Sequence, residues 1–324
     1  MNVYDFDKTI YDGDSTVDFY FYSIKRQPSL LKFLPKQAWA FTKYLFGFLT
    51  KTQFKEKFFT VFSGIKNIDD YINDFWSKNK VKIKKYYQAT HFDSDVVISA
   101  SPEFLLEPIC LELKVQKLMA SRVDKKTGKY TGENCFGEEK VKRFYELFPN
   151  EKINTFYSDS LSDTPLKKIS EKAYIVQKEK LIDWDTYKPS LFSKFKKTFL
   201  SLQFIMFLII GVINTINGIG FAYLYSLVIE NVNLAFIVGY LTSLSIAYLL
   251  NSFLTFKERL NLKKFIKFCI SYIPNFLIQN GFVILFYNIL HWEKLLVYCL
   301  AAIIGIPVTF LLLKLFAFKK KKAD

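Results

Sequence analysis

Histidine is nearly missing from this chain: only His91 and His291 occur in 324 residues. A Ser-His-Asp hydrolase and a histidine-rich metal centre are thereby close to excluded, because both depend on imidazole as base or ligand. His91 stands just ahead of the run Phe92 to Ser99 and reads as a surface or packing residue. Cysteine is sparse too. Cys110, Cys135, Cys269 and Cys299 include no C-x-x-C pair, so reduced structural thiols are expected rather than a zinc site or a disulfide framework. Acids thin out after position 199, where only Glu230, Glu258, Glu293 and Asp324 remain. No secretory signal is expected at the opening, since Asp5 and Asp7 stand where one needs a cationic region and an apolar stretch.

What is present divides in two. The first 200 positions have an ordinary soluble composition, whereas the last 120 are dominated by Phe, Leu, Ile, Val and Tyr. The formal charge of +15 raises nucleic acid as a partner, but the lysines stand elsewhere. Lys188, Lys194, Lys196 and Lys197, then Lys257, Arg259, Lys263, Lys264 and Lys267, then Lys319 to Lys322, all border apolar runs. That is the pattern of cytoplasmic membrane borders, and a lipid bilayer is the expected partner, not nucleic acid.

Four apolar runs, about 204–229, 234–256, 265–290 and 295–318, each reach the roughly 20 residues that cross a bilayer as a helix. Basic ends alternate with non-basic joints, which predicts both termini on the cytoplasmic side of a bacterial-type cell membrane. Asn214, Asn217, Asn251, Asn275, Gln279 and Asn280 lie within the runs. They read either as interhelical hydrogen-bonding groups or as the lining of a site for a polar headgroup or sugar. Pro274 and Pro307 are expected to kink their helices. On the stretches FLIIGVINTINGIGFAYLY and AYLLNSFLTFKERL, residues 199–318 resemble the GtrA-like family of small four-span proteins. The resemblance implies a part in cell-surface polysaccharide synthesis, movement of polyprenyl-phosphate-linked sugars as lipid carriers, and glycosyltransferases as candidate partners.

The opening VYDFDKTIYDGDST carries the chemistry. A short apolar strand runs into a loop with Asp5 and Asp7 starting on one face. Carboxylates so close repel unless a cation sits between them, and Mg2+ is the natural one, being hard and usually held by one or two carboxylates plus phosphate. VVISAS (96–101) reads as a buried strand ending in serine. GEEKVKRF places Lys140 at the start of an amphipathic helix, and TFYSDSLSDTPL follows a strand with Asp159 and Asp163.

These four motifs in this order resemble the haloacid dehalogenase superfamily, in its phosphoserine-phosphatase-like subfamily IB, over about 1–187. The resemblance implies Asp5 as nucleophile and Asp7 as general acid and base. It implies Thr9, Ser99, Ala100 and Lys140 around the phosphate, with Thr9 shaping the loop. The metal set would be Asp5, Asp7 through its main chain, Asp159, and Asp163, the last holding metal waters or Lys140. Ser101 is an alternative to Ser99 and Lys142 a rival to Lys140. Asp12 and Asp14 read as loop or cap-hinge residues.

The fold expected is an α/β Rossmann-like domain over 1–187 with a helical cap over about 15–93, a linker over 188–198, and an all-α four-helix transmembrane domain over 199–324. Met119–Val123 and Tyr130–Cys135 are expected to pair as a hairpin about DKKTGK. The segment LLKFLPKQAWAFTKYLFGFL reads as amphipathic, lying in the membrane surface or on the membrane domain, or else as ordinary cap core. The leading functional expectation is hydrolysis of a phosphate monoester on a polyprenyl phosphate, a lipid headgroup or a glycan precursor. Its rivals are a transport or scaffold protein with a binding-only phosphatase-like part, and a membrane-anchored phosphatase of a soluble metabolite.

Overall fold

The computed structural model describes residues 1–319, so the end of the basic tail, Lys320 to Asp324, lies outside the described residues. The chain separates into two compact units, Met1–Lys188 and a second that begins at Pro189.

The first unit is built on a six-stranded sheet in the order β3-β2-β1-β4-β5-β6. The strands are β1 (Asn2–Tyr4), β2 (Val96–Pro102), β3 (Lys117–Ser121), β4 (Ile153–Ser158), β5 (Ser170–Gln177) and β6 (Lys180–Asp183). All pairs are parallel except β5 with β6. Side chains alternate across the sheet, which sorts neighbouring residues into separate cores. Val3, Val96, Ile98 and Met119 join one cluster with Phe144 and Phe156. Tyr4, Val97 and Ala120 join the other, which is shared with the cap. From β1 the chain first builds β2 and β3 on one side and later β4 to β6 on the other. The crevice at the carboxyl end of β1 is therefore a switch point, where open sheets bind ligands.

The cap is helical throughout: α1 (Ser15–Arg26), α2 (Leu34–Leu45), α3 (Lys51–Phe59), α4 (Ile68–Asn79) and α5 (Lys85–Thr90), with short 3-10 turns between. Asp14 caps α1 by accepting from Val17 N, and Thr50 with Gln53 forms a capping box on α3. Its core is aromatic, with Phe19, Phe62, Phe75 and Trp76 packed edge to face or tilted. The rest of the unit adds α6 (Glu103–Glu112), α7 (Glu138–Leu147) and α8 (Thr164–Lys168).

The expected hairpin is not formed as such. Met119 belongs to β3, parallel to β2, and only a Val123–Tyr130 bridge remains of the antiparallel pairing. Burial between sheet and α6 outweighs local pairing for β3. The loop tip packs on the cap instead: a Cβ on Gly128, at φ +72°, would stand 2.4 Å from the Phe59 carbonyl oxygen.

In the second unit, α9 (Leu191–Phe199) is a helix where a plain linker is expected. Ser190 caps it by accepting from Ser193 N, and Lys196 and Lys197 stand in its last turn, where cations are favoured. The long helices are α10 (Leu202–Ser226); α11 (Val232–Leu250), continued by a π-helical turn to Phe256; α12 (Leu262–Ile270) with α13 (Tyr272–Val283), continued to Ile289; and α14 (Lys294–Leu312), continued to Ala317. By length and composition three are able to cross a membrane, 202–226, 232–256 and 262–289, and the fourth shows the shorter apolar stretch Ile303–Ala317. The third breaks at Ser271, three residues before Pro274, whose ring excludes the carbonyl four residues back. α14 runs through Pro307 without interruption.

Candidate active site

The site is assembled by the loops that leave β1, β2 and β4 and by the first turn of α7. β1 is extended by the Asp5 N–H, which donates to the Tyr157 carbonyl at 2.9 Å. The chain then turns sharply: the N–H groups of Ile10 and Tyr11 both donate to the Phe6 carbonyl, at 2.9 and 3.0 Å. Lys8 takes a left-handed φ of 58°, a conformation costly for a residue with a Cβ. The cap holds that turn in place. Lys84 Nζ donates to the Lys8 carbonyl, and Tyr86 Oη donates to the Thr9 carbonyl at 2.8 Å. Thr9 itself is wholly buried within the turn, and its hydroxyl has no partner among the described residues.

α7 supplies the cation. Gly137 precedes it at φ 61°, ψ −126°, a region open to glycine. The helix then buries Lys140, Arg143 and Phe144 on one face, the spacing of a single helical stripe. Arg143 pins the helix to neighbouring backbone by donating to the Ala120 and Glu133 carbonyls. Lys140 Nζ stands 2.8 Å from Asp5 Oδ1 and 2.9 Å from Asp163 Oδ2, with its side chain 3% exposed. Ser158 Oγ also donates to Asp163 Oδ2, at 2.8 Å. Asp163 is thus placed as a holder of Lys140. Lys142 is exposed and faces Glu139 and Glu146, away from Asp5.

Burial raises the Asp5 carboxyl to about 7 against the opposing pull of Lys140, with Asp163 and Asp159 adding repulsion. Burial alone depresses Lys140, but the charges of Asp5 and Asp163 outweigh it and hold the ammonium above its ordinary value. Asp159 is raised chiefly by burial, with Lys8 opposing. Asp7 is pushed up to about 6, first by burial and then by Asp14. One Asp7 oxygen accepts from Ser15 N at 2.7 Å, and the other from Ser101 Oγ.

The two serines on the β2 loop have separate places. Ser101 Oγ touches Asp7 and lies 3.0 Å from Thr16 Oγ1, while Ser99 Oγ accepts from Ser101 N at 3.1 Å and shapes the loop from beneath. A cavity of about 360 Å³ opens above them, lined on its polar side by Asp7, Asp14, Thr16, Lys55, Ala100 and Ser101. Lys55, from the cap helix α3, stands 3.4 Å from the Ala100 carbonyl oxygen and is lowered to about 8, mainly by burial and then by Lys51. Neither Lys55 nor Thr16 is legible in sequence as a site residue, because their role comes from the cap folding over the loops. Asp14 caps α1, where the chain enters the cap, and forms part of the cavity wall.

In the second unit the structure does not gather the polar residues into one lining. Ser243 of α11 donates to the Asn214 carbonyl and lies 2.7 Å from its Oδ1. Asn275 accepts from Gln279 at 3.2 Å, and both stand against Gly305 of α14. Asn251 is buried and donates to the Ala247 carbonyl, while Asn217 is half-buried and Asn280 exposed.

Residues 3–168, about half of the chain, match the family model of the haloacid dehalogenase-like hydrolases. Residues 206–318 match the GtrA/DPMS transmembrane domain. A probable phosphatase of Mycobacterium tuberculosis is 37% identical over 93 residues, which are 26% of this chain and 32% of that protein. The chain thus spans about a third of the length of the curated relatives it matches. Among solved structures, a protein of unknown function from Bordetella pertussis Tohama I is 20% identical with a TM-score of 0.44, covering 54% of this chain and 88% of that one. A phosphoserine phosphohydrolase-like protein from Francisella tularensis is 13% identical with a TM-score of 0.36, covering 55% and 88%.

Proposed function

The chain belongs to the haloacid dehalogenase-like hydrolases, and from that premise we propose that it is a Mg2+-dependent phosphomonoester hydrolase acting on a membrane-associated substrate. The observation that carries the reading is the buried Lys140 held between Asp5 and Asp163, with Asp7, two residues along the same loop, facing a cavity.

The acidic cluster fits a divalent cation. Lys140 is shared by Asp5 and Asp163, while Asp159 is raised by burial and by Asp163 with the lysines Lys8, Lys140 and Lys84 opposing, so a cation at this cluster would relieve the repulsion among the carboxylates. Among the described residues no group of three His, Cys, Asp or Glu side chains is placed to hold a metal ion by itself, so a bound ion would have to complete its shell with waters, main-chain oxygen and phosphate oxygens. Asp5, the Asp7 carbonyl and Asp159 would hold it. When bound, the ion neutralises charge on the transferring phosphoryl group.

One Asp5 oxygen is held by Lys140, and the other attacks phosphorus, forming an aspartyl-phosphate as the ester oxygen leaves. Asp7, raised toward neutrality, protonates that oxygen and then takes the proton of the water that hydrolyses the aspartyl-phosphate. Lys140 would position the phosphoryl oxygens together with Ser99 and Ala100 at the end of β2, as the resemblance implies. Positioning and charge neutralisation are most of what phosphoryl transfer requires.

The membrane unit supports the second half of the reading. Tethering the hydrolase beside a bilayer raises its effective concentration for polyprenyl phosphates, lipid headgroups or glycan-precursor phosphates. The alternating basic borders support a cytoplasmic side for both termini and the hydrolase, and the GtrA/DPMS match favours service to lipid-linked sugar carriers in surface polysaccharide synthesis. The test is release of phosphate from p-nitrophenyl phosphate by the full chain in Mg2+. Wild type should turn over, chelation should stop it, and Asp5→Asn should be inert. Equal activity in Asp5→Asn would refute the assignment.

A further inference from the structure

The cap carries a surface that the reaction above does not use. α2 and α3 enclose a groove of about 510 Å³ whose walls are almost wholly apolar, among them Leu34, Pro35, Ala38 and Phe41. Gln37 braces its floor, accepting from Tyr20 Oη and donating to the Phe58 carbonyl, both at 2.8 Å. Phe54 and Phe58 line this groove and also line the catalytic cavity, so one aromatic pair stands where the two meet. Lys55 lies on the catalytic side of that pair.

The same α2–α3 segment exposes further aromatics. Trp39 is 61% and Phe48 76% exposed. Between Asp18 and Glu56 the sequence has no acid and seven basic residues, of which Lys55 turns into the catalytic cavity and Arg26 pairs with Asp74, and Lys43 Nζ sits 5.3 Å from the Trp39 ring. Exposed aromatics on a lysine-bearing, acid-free stretch of chain match the boundary of an anionic bilayer. An apolar groove that shares the wall residues Phe54 and Phe58 with a cavity reaching Asp7 matches an amphiphile with a hydrocarbon tail and a phosphate head.

We propose that the groove between α2 and α3 holds the hydrocarbon chain of a lipid phosphate monoester, whose phosphate enters the catalytic cavity past Phe54 and Phe58. The proposal rests on the phosphatase reading and names its substrate class. It gives the apolar cap segment a task at the membrane surface, and Phe54 and Phe58 a task as the threshold between tail and head.

The test compares ethyl and octyl phosphate, below micelle formation, on the full chain in lipid nanodiscs. Each methylene that enters the groove should raise kcat/KM about fourfold, so the octyl-to-ethyl ratio should reach at least about a hundred. Ala38→Trp fills the outer groove and Leu34→Ser makes it polar; each should lower that ratio at least about tenfold. A wild-type ratio within about threefold overturns the proposal, as does a high ratio unmoved by both variants, which would report partition into the bilayer. Calorimetric binding of the two phosphates to Asp5→Asn separates the two claims. A preference for octyl phosphate there, with no turnover of any phosphate by wild type, sinks the phosphatase reading and keeps the groove. Turnover by wild type without that preference removes the groove and keeps the phosphatase.

Discussion

Replacing Lys140 by Met should convert the best-held part of the site into its weakest. Lys140 is 3% exposed and contacts Asp5 at 2.8 Å and Asp163 at 2.9 Å, so the change leaves two buried carboxylates facing each other without a cation. Breaking a buried pair in this way costs about 3–5 kcal/mol. In a unit of this size that lowers Tm by roughly 10 °C. The sign of the pH dependence follows from burial. Asp5 already lies above its ordinary value, at about 7 with Lys140 present, and losing the ammonium raises it further. A carboxyl raised on folding favours the folded state while protonated, and that advantage is lost as pH climbs through the folded value. The deficit of Lys140→Met should therefore be greatest above pH 7 and shrink toward pH 5. The assay is thermal unfolding of the full chain in detergent with chelator, followed by tryptophan fluorescence; Trp39, Trp76 and Trp184 lie in the first unit and only Trp292 in the second. Adding Mg2+ should return part of the loss. A deficit below about 1 kcal/mol, the range of an exposed pair, with no pH dependence, would refute the buried clamp.

Two further expectations concern the cap and the membrane unit. Because burial lowers Lys55 to about 8, its charge is present below that pH and lost above it. KM for an aryl phosphate should accordingly rise up to about tenfold per pH unit above 8, and Lys55→Arg, which keeps its charge, should remove the rise; an identical profile in both proteins would discount Lys55 as a substrate contact. At Gly239 of α11 an added Cβ would stand 2.5 Å from the Ala222 backbone nitrogen of α10, whereas at Gly220 it meets nothing within 4 Å. Gly239→Ala should destabilise the full chain in detergent by about 1–3 kcal/mol and Gly220→Ala should not; equal thermal stability of the two would show that α10 and α11 are not in contact there.

Much of the molecule was written in local pattern. Asp5 and Asp7 at a strand end, a serine closing an apolar strand, Lys140 on an amphipathic helix and Asp159 with Asp163 after another strand are arrangements of one or two elements each. Period-two alternation also sorts Val3 from Tyr4 and Val96 from Val97 into opposite cores, and uninterrupted apolar length marks the spanning helices. What stayed hidden was everything that depends on one segment covering another. Lys55 is one lysine among many until α3 folds over the β2 loop. Asp163 is legible as a holder of metal waters or of Lys140, and only the packing of the β4 loop against α7 brings it within 2.9 Å of Lys140. Met119 reads as a hairpin strand until burial draws β3 to β2, and the linker becomes a helix through a cap that needs only Ser190 and Ser193. Composition and periodicity decide which elements form, because they follow from backbone and burial preferences within a few residues. Only tertiary packing decides which distant charges meet, because desolvation and Coulomb energy depend on distances that no local pattern contains.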